Sequence, residues 1–137
     1  MSYLLDTNVL SELVRKEPSE KLRKWFNNTP DNLLYISVLT LGELRKGAEK
    51  ITDIKRRERV LIWLEQELPA WFDSRVLPID AAIADTWGRL NATINRPLPV
   101  IDSLLAATAL QHHLRLVTRN HKDFDFPSLN VINPWEL

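Results

Sequence analysis

Short apolar runs that alternate with helically spaced segments constrain the fold of this chain more than any other feature. Such runs suit strands that are buried on both faces of a sheet, whereas apolar residues that recur every three or four positions suit amphipathic helices. Five runs are predicted as strands, at residues 3–5, 33–36, 76–79, 114–118 and 130–132. Pro78 places the third strand at an edge of the sheet, since proline cannot donate a hydrogen bond to a neighbouring strand.

The segments between the strands carry the start and stop residues of helices. Pro18 is suited to the first turn of a helix, and both Ser37 and Thr40 are suited to cap one. Pro69 is expected to end a long helix, because proline lacks the backbone N–H that a helix interior needs. Six helices are predicted, at residues 9–14, 18–26, 37–48, 53–68, 82–90 and 100–113.

Strands separated by helices require right-handed crossovers and therefore a mainly parallel sheet. We expect an α/β fold with a central sheet of four to five strands and helices on both faces. A chain of 137 residues has the usual size of one domain, and it contains no repeat and no Gly/Ser-rich linker. The prediction is a single domain over residues 1–137.

The composition excludes several classes of function. The absence of cysteine excludes disulfides, thiolate metal sites and thiol nucleophiles, so oxygen or imidazole must hold any metal. No apolar run approaches the roughly 20 residues that span a bilayer, and the first residues lack the pattern of a signal peptide, so we expect a cytoplasmic protein without membrane contact. Basic and acidic residues number 18 each, which gives no overall attraction to nucleic acid. Residues 50–59 carry a local excess of positive charge, which a solvated helix face explains.

Four acidic residues are predicted to lie at the same edge of the sheet. In an open parallel sheet, ligands bind beyond the carboxyl ends of the strands, where helix N-termini also converge. The four are Asp6 after the first strand, Glu43 after the second, and Asp102 and Asp123 before and after the fourth. Crowded carboxylates repel one another, so a fold tolerates them mainly when divalent cations neutralise them.

Each acid also has a purely structural explanation when it is taken alone. Aspartate is a preferred helix N-cap, which suffices to explain Asp6. Residues 40–43 match the capping box Ser/Thr-x-x-Glu, in which Glu43 bonds back to a backbone N–H. Asp102 in a first helical turn is favoured by the helix dipole. Asp123 is explained as an ordinary loop acid, and Asp125 is a rival for its role. The common position of the acids at one end of the sheet favours a shared site over separate capping roles.

The acids belong to four motifs. These read Leu4-Leu5-Asp6-Thr7-Asn8, Ser37-x-x-Thr40-x-x-Glu43-Leu44, Asp102-x-x-Leu105-Ala106-Ala107-x-Ala109 and Thr118-x-Asn120-x-x-Asp123-Phe124. In this order they resemble the motifs of PIN domains, and in particular those of VapC-type toxins of bacterial toxin–antitoxin pairs. The resemblance covers nearly the whole chain and assigns Asp123, rather than the neighbouring Asp125, to the site. It also implies that strand one lies beside strand four.

Resemblance to PIN domains implies an endoribonuclease that depends on Mg²⁺, with Mn²⁺ as a possible substitute. The predicted catalytic and metal-binding residues are Asp6, Glu43, Asp102 and Asp123. They would hold the metal directly or through water, and a water activated by the metal would attack the phosphodiester in line. Four polar residues match positions that support the acids by hydrogen bonding, although turn and cap chemistry also explains them: Thr7, Asn8, Thr118 and Asn120.

The same resemblance implies three partners, namely an RNA substrate, a small inhibitory antitoxin and a second copy of the chain in a homodimer. The apolar side chains around residues 22–26 and 62–63 are more than a small domain readily buries, which supports an interface. The five tryptophans are expected in the core or an interface rather than against bases. Basic residues near the motifs are predicted to grip the RNA backbone: Arg45, Lys46, Arg119 and Lys122. Whether the RNA is transfer or messenger RNA stays open.

Three other readings compete with the PIN-domain nuclease. The opening Asp6-Thr7-Asn8 resembles the Asp-x-Asp motif of haloacid-dehalogenase phosphatases, but Asn8 cannot serve as the acid–base residue. A receiver domain would need paired acids after the first strand, and the sequence has none there. A catalytically inactive PIN fold that binds nucleic acid or acts as a scaffold remains the non-enzymatic alternative, although all four acids are present.

Overall fold

The computed structural model describes residues 1–137 and has a five-stranded parallel sheet at its centre. The strands are β1 (Tyr3–Leu5), β2 (Leu34–Ser37), β3 (Val76–Leu77), β4 (Arg115–Val117) and β5 (Val131–Ile132). Their order in the sheet is β3-β2-β1-β4-β5, and every neighbouring pair is parallel. The predicted α/β class, the edge position of β3 and the pairing of β1 with β4 are confirmed.

Seven α-helices surround the sheet: α1 (Thr7–Leu13), α2 (Glu20–Asn27), α3 (Val38–Glu49), α4 (Ile54–Ile62), α5 (Leu68–Phe72), α6 (Ala81–Thr93) and α7 (Val100–His112). Successive side chains of a strand point to opposite faces of the sheet. Leu5 accordingly packs in one apolar cluster with residues of α1, α2, α3 and α5 and with Leu64, whereas Leu4 packs in a second cluster with residues of α6 and α7. Helices therefore cover both faces, as expected. None of them combines the length and the apolar character needed to cross a lipid bilayer.

The two helices on the second face are held close by small residues and one partly buried hydrogen bond. Ala106 and Ala109 of α7 are fully buried against the sheet. Trp87 of α6 donates its indole N–H to the buried hydroxyl of Ser103 at 2.9 Å, so a polar group on each helix is satisfied. This packing fixes the start of α7, and with it the position of Asp102.

The expectation that Pro69 ends a helix is wrong. The helix continues from α4 through a π-turn, Trp63–Glu67, directly into α5. In that turn the N–H of Leu68 donates to the carbonyl of Trp63, five residues earlier. The wider turn restarts the hydrogen-bond ladder, so Pro69 falls in the first turn of α5, where a missing N–H leaves no bond unmade. A smaller correction concerns α2, which begins at Glu20 with Ser19 as its cap rather than at Pro18.

The connection from α5 to β3 contains a backbone conformation that favours glycine. Asp73 has φ 48° and ψ −115°, and its side chain is exposed. L-residues pay roughly 1–3 kcal/mol for such a conformation, whereas glycine adopts it freely. Two residues later, the guanidinium of Arg75 donates to the carbonyl oxygens of Asp31, Leu34 and Trp71. These hydrogen bonds tie the turn to neighbouring parts of the chain.

We expect Asp73→Gly to stabilise the fold by about 1 kcal/mol, after allowance for the greater backbone entropy of glycine in the unfolded chain. Thermal unfolding followed by circular dichroism should show a midpoint higher by about 3 °C. Asp31→Gly is the matched control, since Asp31 is also exposed but lies outside the positive-φ region. An unchanged or lower midpoint for Asp73→Gly would show that the side chain makes a compensating contribution.

Candidate active site

Asp6 lies at the centre of the carboxyl edge of the sheet. It follows β1 directly, and its backbone N–H donates to the carbonyl of Val117 in β4 at 2.9 Å. Its side chain is buried, and Oδ1 accepts from the N–H of Thr7 at 2.7 Å, so Asp6 caps α1 as its structural explanation predicts. Its second oxygen, Oδ2, accepts from the hydroxyl of Thr118 at 2.8 Å and the amide of Asn8 at 3.2 Å. One carboxylate therefore serves as the cap and also faces the strand ends.

A hydrogen-bond network joins the end of β1 to the end of β4. The Asn8 amide nitrogen donates to Thr118 Oγ1 at 3.1 Å, and Asn8 Oδ1 accepts from the backbone N–H of Arg119 at 3.2 Å. The backbone N–H of Asn120 donates to Thr118 Oγ1 at 3.1 Å. Asn8 and Thr118 thus hold Asp6 in one orientation, whereas Asn120 takes part through its backbone.

Glu43 is directed toward Asp6 and not toward its own helix. α3 is capped by Ser37, whose hydroxyl accepts from the N–H of Leu39 at 3.0 Å. Thr40 is therefore not the cap, and its buried hydroxyl has no hydrogen-bond partner. Glu43 Oε1 instead accepts from the hydroxyl of Thr7 at 2.6 Å. The capping-box explanation of Glu43 is wrong, because the helix starts three residues earlier than that explanation requires.

Asp102 completes the group from the first turn of α7. No side chain or backbone N–H of the protein donates a hydrogen bond to its carboxylate. Burial raises the pKa of Asp102, and the negative charges of Asp123 and Glu43 raise it further. The carboxylates are therefore close enough to repel one another electrostatically at this edge of the sheet.

Burial is also the main reason why the pKa of Asp6 is raised to about 6. The hydrogen bonds from Thr118 and from the N–H of Thr7 oppose this rise, and the charges of Asp102 and Glu43 add to it. Hydrogen bonding thus offsets only part of the cost of placing a charged Asp6 inside the protein. The site carries more negative charge than the surrounding protein neutralises.

The acids open into a pocket of about 670 Å³ without a single hydrophobic lining residue. Its lining residues are Asp6, Thr7, Asn8, Ser11, Glu12, Arg15, Glu43, Arg56, Asp102, Arg119 and Asn120. Asp123 lies outside this lining, on the 3₁₀ turn His121–Phe124, although its charge acts on Asp102. No three acidic or histidine side chains converge closely enough to form a complete metal site on their own. The catalytic and metal-binding roles of the four acids stay predictions.

Among the basic residues predicted to bind RNA, the structure places only Arg119 at the pocket, where its guanidinium lies 5.2 Å from the ring centre of Trp135. Arg45 forms ion pairs with Glu65 at 2.8 Å and Glu49 at 3.5 Å, outside the pocket. Lys46 is exposed elsewhere on α3, and Lys122 lines a different cavity with Asp125. Their placement gives no support to a role for Arg45, Lys46 or Lys122 at the acids.

Four lining residues escaped the sequence interpretation. Ser11, Glu12 and Arg15 follow Asn8 at helical spacing on α1, so they share its face, and this periodicity was the available indication. Glu12 is buried and accepts from the N–H of Ser19 at 3.0 Å and from Arg15 at 3.3 Å. Arg56 reaches the pocket from α4, and no local pattern in the sequence indicates this.

Known proteins resemble this chain in sequence over nearly its whole length. The family model described as "PIN domain" matches residues 3–127. Toxin FitB of Neisseria gonorrhoeae is 33% identical over 135 residues, which are 96% of this chain and 97% of FitB. VapC ribonuclease Y4jK of Sinorhizobium fredii is 35% identical over 136 residues, or 97% of each chain.

Solved structures show the same similarity. A chain in the crystal structure of FitAcB from Neisseria gonorrhoeae superposes with a TM-score of 0.91 at 33% identity, covering 98% of this chain and 99% of that one. A chain in a toxin–antitoxin complex from Klebsiella pneumoniae gives a TM-score of 0.73 at 29% identity, covering 99% and 100%. The fold is therefore shared over nearly the full length of these chains.

Proposed function

Because this chain belongs to the PIN-domain family, we propose that it is a metal-dependent endoribonuclease that acts as the toxin of a bacterial toxin–antitoxin pair in the cytoplasm. The resemblance seen in the sequence is confirmed at the level of the family, and the relatives named as a toxin and a ribonuclease match nearly its whole length. One observation carries the proposal of catalysis. A wholly polar pocket at the carboxyl edge of the sheet collects acids that burial and mutual repulsion disfavour in their charged form.

The chemistry of the pocket fits a hard divalent cation such as Mg²⁺ or Mn²⁺. Its lining offers carboxylate, hydroxyl and amide oxygens and no sulfur, which is the donor set that these ions prefer. Asp6, Glu43 and Asp102 would hold the ion, with Asp123 acting from just outside the lining. Since no three acids converge, water would complete the ligand set. When bound, the cation would offset phosphate charge and lower the pKa of a water molecule.

The residues of the chain itself orient the site. Thr118 and Asn8 fix Asp6 Oδ2, and the hydroxyl of Thr7 fixes Glu43 Oε1, which leaves Glu43 Oε2 free to face the pocket. The carboxylate of Asp102 accepts no hydrogen bond from the protein and is available to accept a proton from water. Arg119 presents positive charge at the pocket for a phosphate of the RNA.

The direct test is incubation of the purified chain with total RNA in Mg²⁺ or Mn²⁺, with parallel samples in EDTA. Cleavage that appears only with the divalent ion supports the nuclease, and equal cleavage in EDTA would point to a contaminant. RNA that stays intact in every condition would favour the inactive PIN fold.

Expression of the wild-type chain alone should arrest bacterial growth, and harmless high-level expression would contradict a toxin.

The two neighbouring acids of the last motif should respond differently to the same change. Asp123→Asn is expected to abolish most RNA cleavage, because Asp123 contributes negative charge at Asp102. Asp125→Asn should retain it, because Asp125 lines a separate cavity beside Phe126. Initial rates of cleavage in Mg²⁺ measure the difference, and each variant is the matched control of the other. Loss of activity in Asp125→Asn alone would show that the motif register is wrong.

The proposed partners beyond RNA are an antitoxin and a second copy of the chain. The structural neighbour described as a toxin–antitoxin complex supports an antitoxin, which would inhibit by placing a basic side chain among the carboxylates. For a homodimer, the apolar side chains around residues 22–26 give no support, since Leu22 is buried and Trp25 packs edge-on against Tyr3 and Phe26. The support lies on α4, where Ile54 is 72% and Ile62 51% exposed.

We expect sedimentation to show a dimer at micromolar concentration, and the double variant Ile54→Lys, Ile62→Lys to sediment as a folded monomer. Two buried charges would cost more than the lost apolar contact area can offset. A wild-type monomer at micromolar concentration would remove the homodimer from the proposal.

A further inference from the structure

A second cavity of about 720 Å³ adjoins the acidic pocket, between the end of α1 and the helix α4. Its lining residues are Leu13, Val14, Arg15, Lys16, Arg56, Arg59, Val60, Trp63 and Glu67. Arg15 and Arg56 line both the acidic pocket and this cavity. The two spaces are therefore parts of one surface groove, which we call the α1–α4 groove where it leaves the acids.

The α1–α4 groove has the opposite charge to the acidic pocket. It contains four basic side chains and a single acid, Glu67. Neither Arg56 nor Arg59 takes part in a salt bridge, so both charges are available to a ligand. In the basic stretch 50–59, by contrast, Arg57 is paired with Glu49 on another side of the helix. Part of the local excess of positive charge in residues 50–59 therefore faces the groove, and part is paired elsewhere on α4.

An aromatic side chain lies among these arginines. Arg56, Arg59, Val60 and Trp63 recur every three or four residues and so share one face of the helix. Trp63 is half-buried, packs against the first apolar cluster and also lines the groove. It stands where the helix widens into the π-turn, a feature that is frequent at functional sites. Basic side chains interleaved with an aromatic one are the chemistry that binds single-stranded nucleic acid.

We propose that the α1–α4 groove holds the single-stranded RNA segment that flanks the cleaved bond, an inference that rests on the proposed nuclease function. Arg15 and Arg56 bind the phosphates where the strand leaves the acidic pocket. Arg59 and Lys16 bind the following phosphates, and Trp63 stacks on a base. The occupant is RNA and not an acidic peptide for two reasons. The groove is continuous with the acidic pocket, because two arginines line both. Every nucleotide of a strand that leaves this pocket also carries a phosphate, so the strand can pair with basic side chains along the whole groove.

The test is fluorescence anisotropy with a labelled single-stranded oligouridylate of about 12 nucleotides, within the usual range of site sizes. EDTA prevents cleavage, so binding is measured separately from catalysis. Arg56→Ala and Arg59→Ala should each weaken binding about fivefold at low salt and reduce the slope of log affinity against log salt by about 0.7. Trp63→Leu should weaken binding about tenfold with little change in the slope, since stacking is not an ionic contact.

Arg89→Ala is the matched control, because Arg89 lies on α6 over the opposite face of the sheet, paired with Asp85. Circular dichroism would verify that each variant is folded, and the two arginine variants keep the test decisive if Trp63→Leu fails to fold. Wild-type affinity and salt slope in both arginine variants would overturn the inference while leaving the nuclease intact. Unchanged RNA binding together with lost inhibition by an antitoxin would assign the groove to a protein partner instead. A wild-type chain that neither binds nor cuts RNA would contradict the proposed function itself.

Discussion

Asp6→Asn is expected to reduce divalent-dependent RNA cleavage by about a hundredfold or more while the chain still folds. The reason is that asparagine keeps the shape of the side chain but removes the charge, and metal-assisted stabilisation is worth several kcal/mol. Its carbonyl oxygen can still accept from the N–H of Thr7, so the cap of α1 survives. Initial rates in Mg²⁺, with circular dichroism as a check of folding, measure the effect.

Asp80→Asn is the matched control for this change. Asp80 caps α6, where its carboxylate accepts from the N–H of Ile83 at 2.9 Å, and it does not line the acidic pocket. The chemical change and the capping role are the same at both positions, and only the surroundings differ. If both variants cleave like the wild type, Asp6 has no part in catalysis. If both lose activity together with their helical signal, the loss is structural.

In the absence of divalent ions, Asp6→Asn is expected to gain stability relative to the wild type as the pH rises. Folding raises the pKa of Asp6 from 3.8 to about 6, so the folded state binds this proton more tightly than the unfolded state does. The resulting stabilisation of the wild type is complete below pH 3.8 and is lost as the pH rises through about 6. About two pKa units correspond to about 3 kcal/mol. The variant has no such proton to lose.

Thermal unfolding of both proteins in EDTA, at several pH values between 4 and 8, measures this difference. Asp102, whose pKa is raised in the same direction, should add to the loss of stability in the wild type and remains in the variant. At pH 8, Mg²⁺ should raise the wild-type midpoint and leave that of Asp6→Asn nearly unchanged, since an ion that binds only the folded acids stabilises them by mass action. If the difference in stability between the two proteins does not vary with pH, burial does not raise the pKa of Asp6 in the folded chain.

Local spacing in the sequence was sufficient for most of the fold. Each predicted strand agrees with an observed one to within about two residues. Pro78 correctly marked the edge, because its missing N–H is a property of the residue itself. Pro69 misled for a related reason: a proline breaks a regular ladder, and the sequence does not show that a π-turn restarts it. Thr40 misled because a capping box presupposes where the helix starts, and Ser37 starts it one turn earlier.

The sequence by itself therefore determined the strands, their parallel direction and the presence of acids where strands end, since these depend on spacing along the chain. Only the tertiary structure decided which side chains meet. Thr7 and Glu43 are 36 residues apart when they bond, and Arg45 is turned away from the acids by Glu65, 20 residues farther along the chain. Arg56 joins Arg15 at the pocket because α3 contacts both α1 and α4 and so brings the two helices to the same pocket. Contacts of this kind form when helices pack on the sheet and on one another, so the spacing of residues along the chain does not predict them.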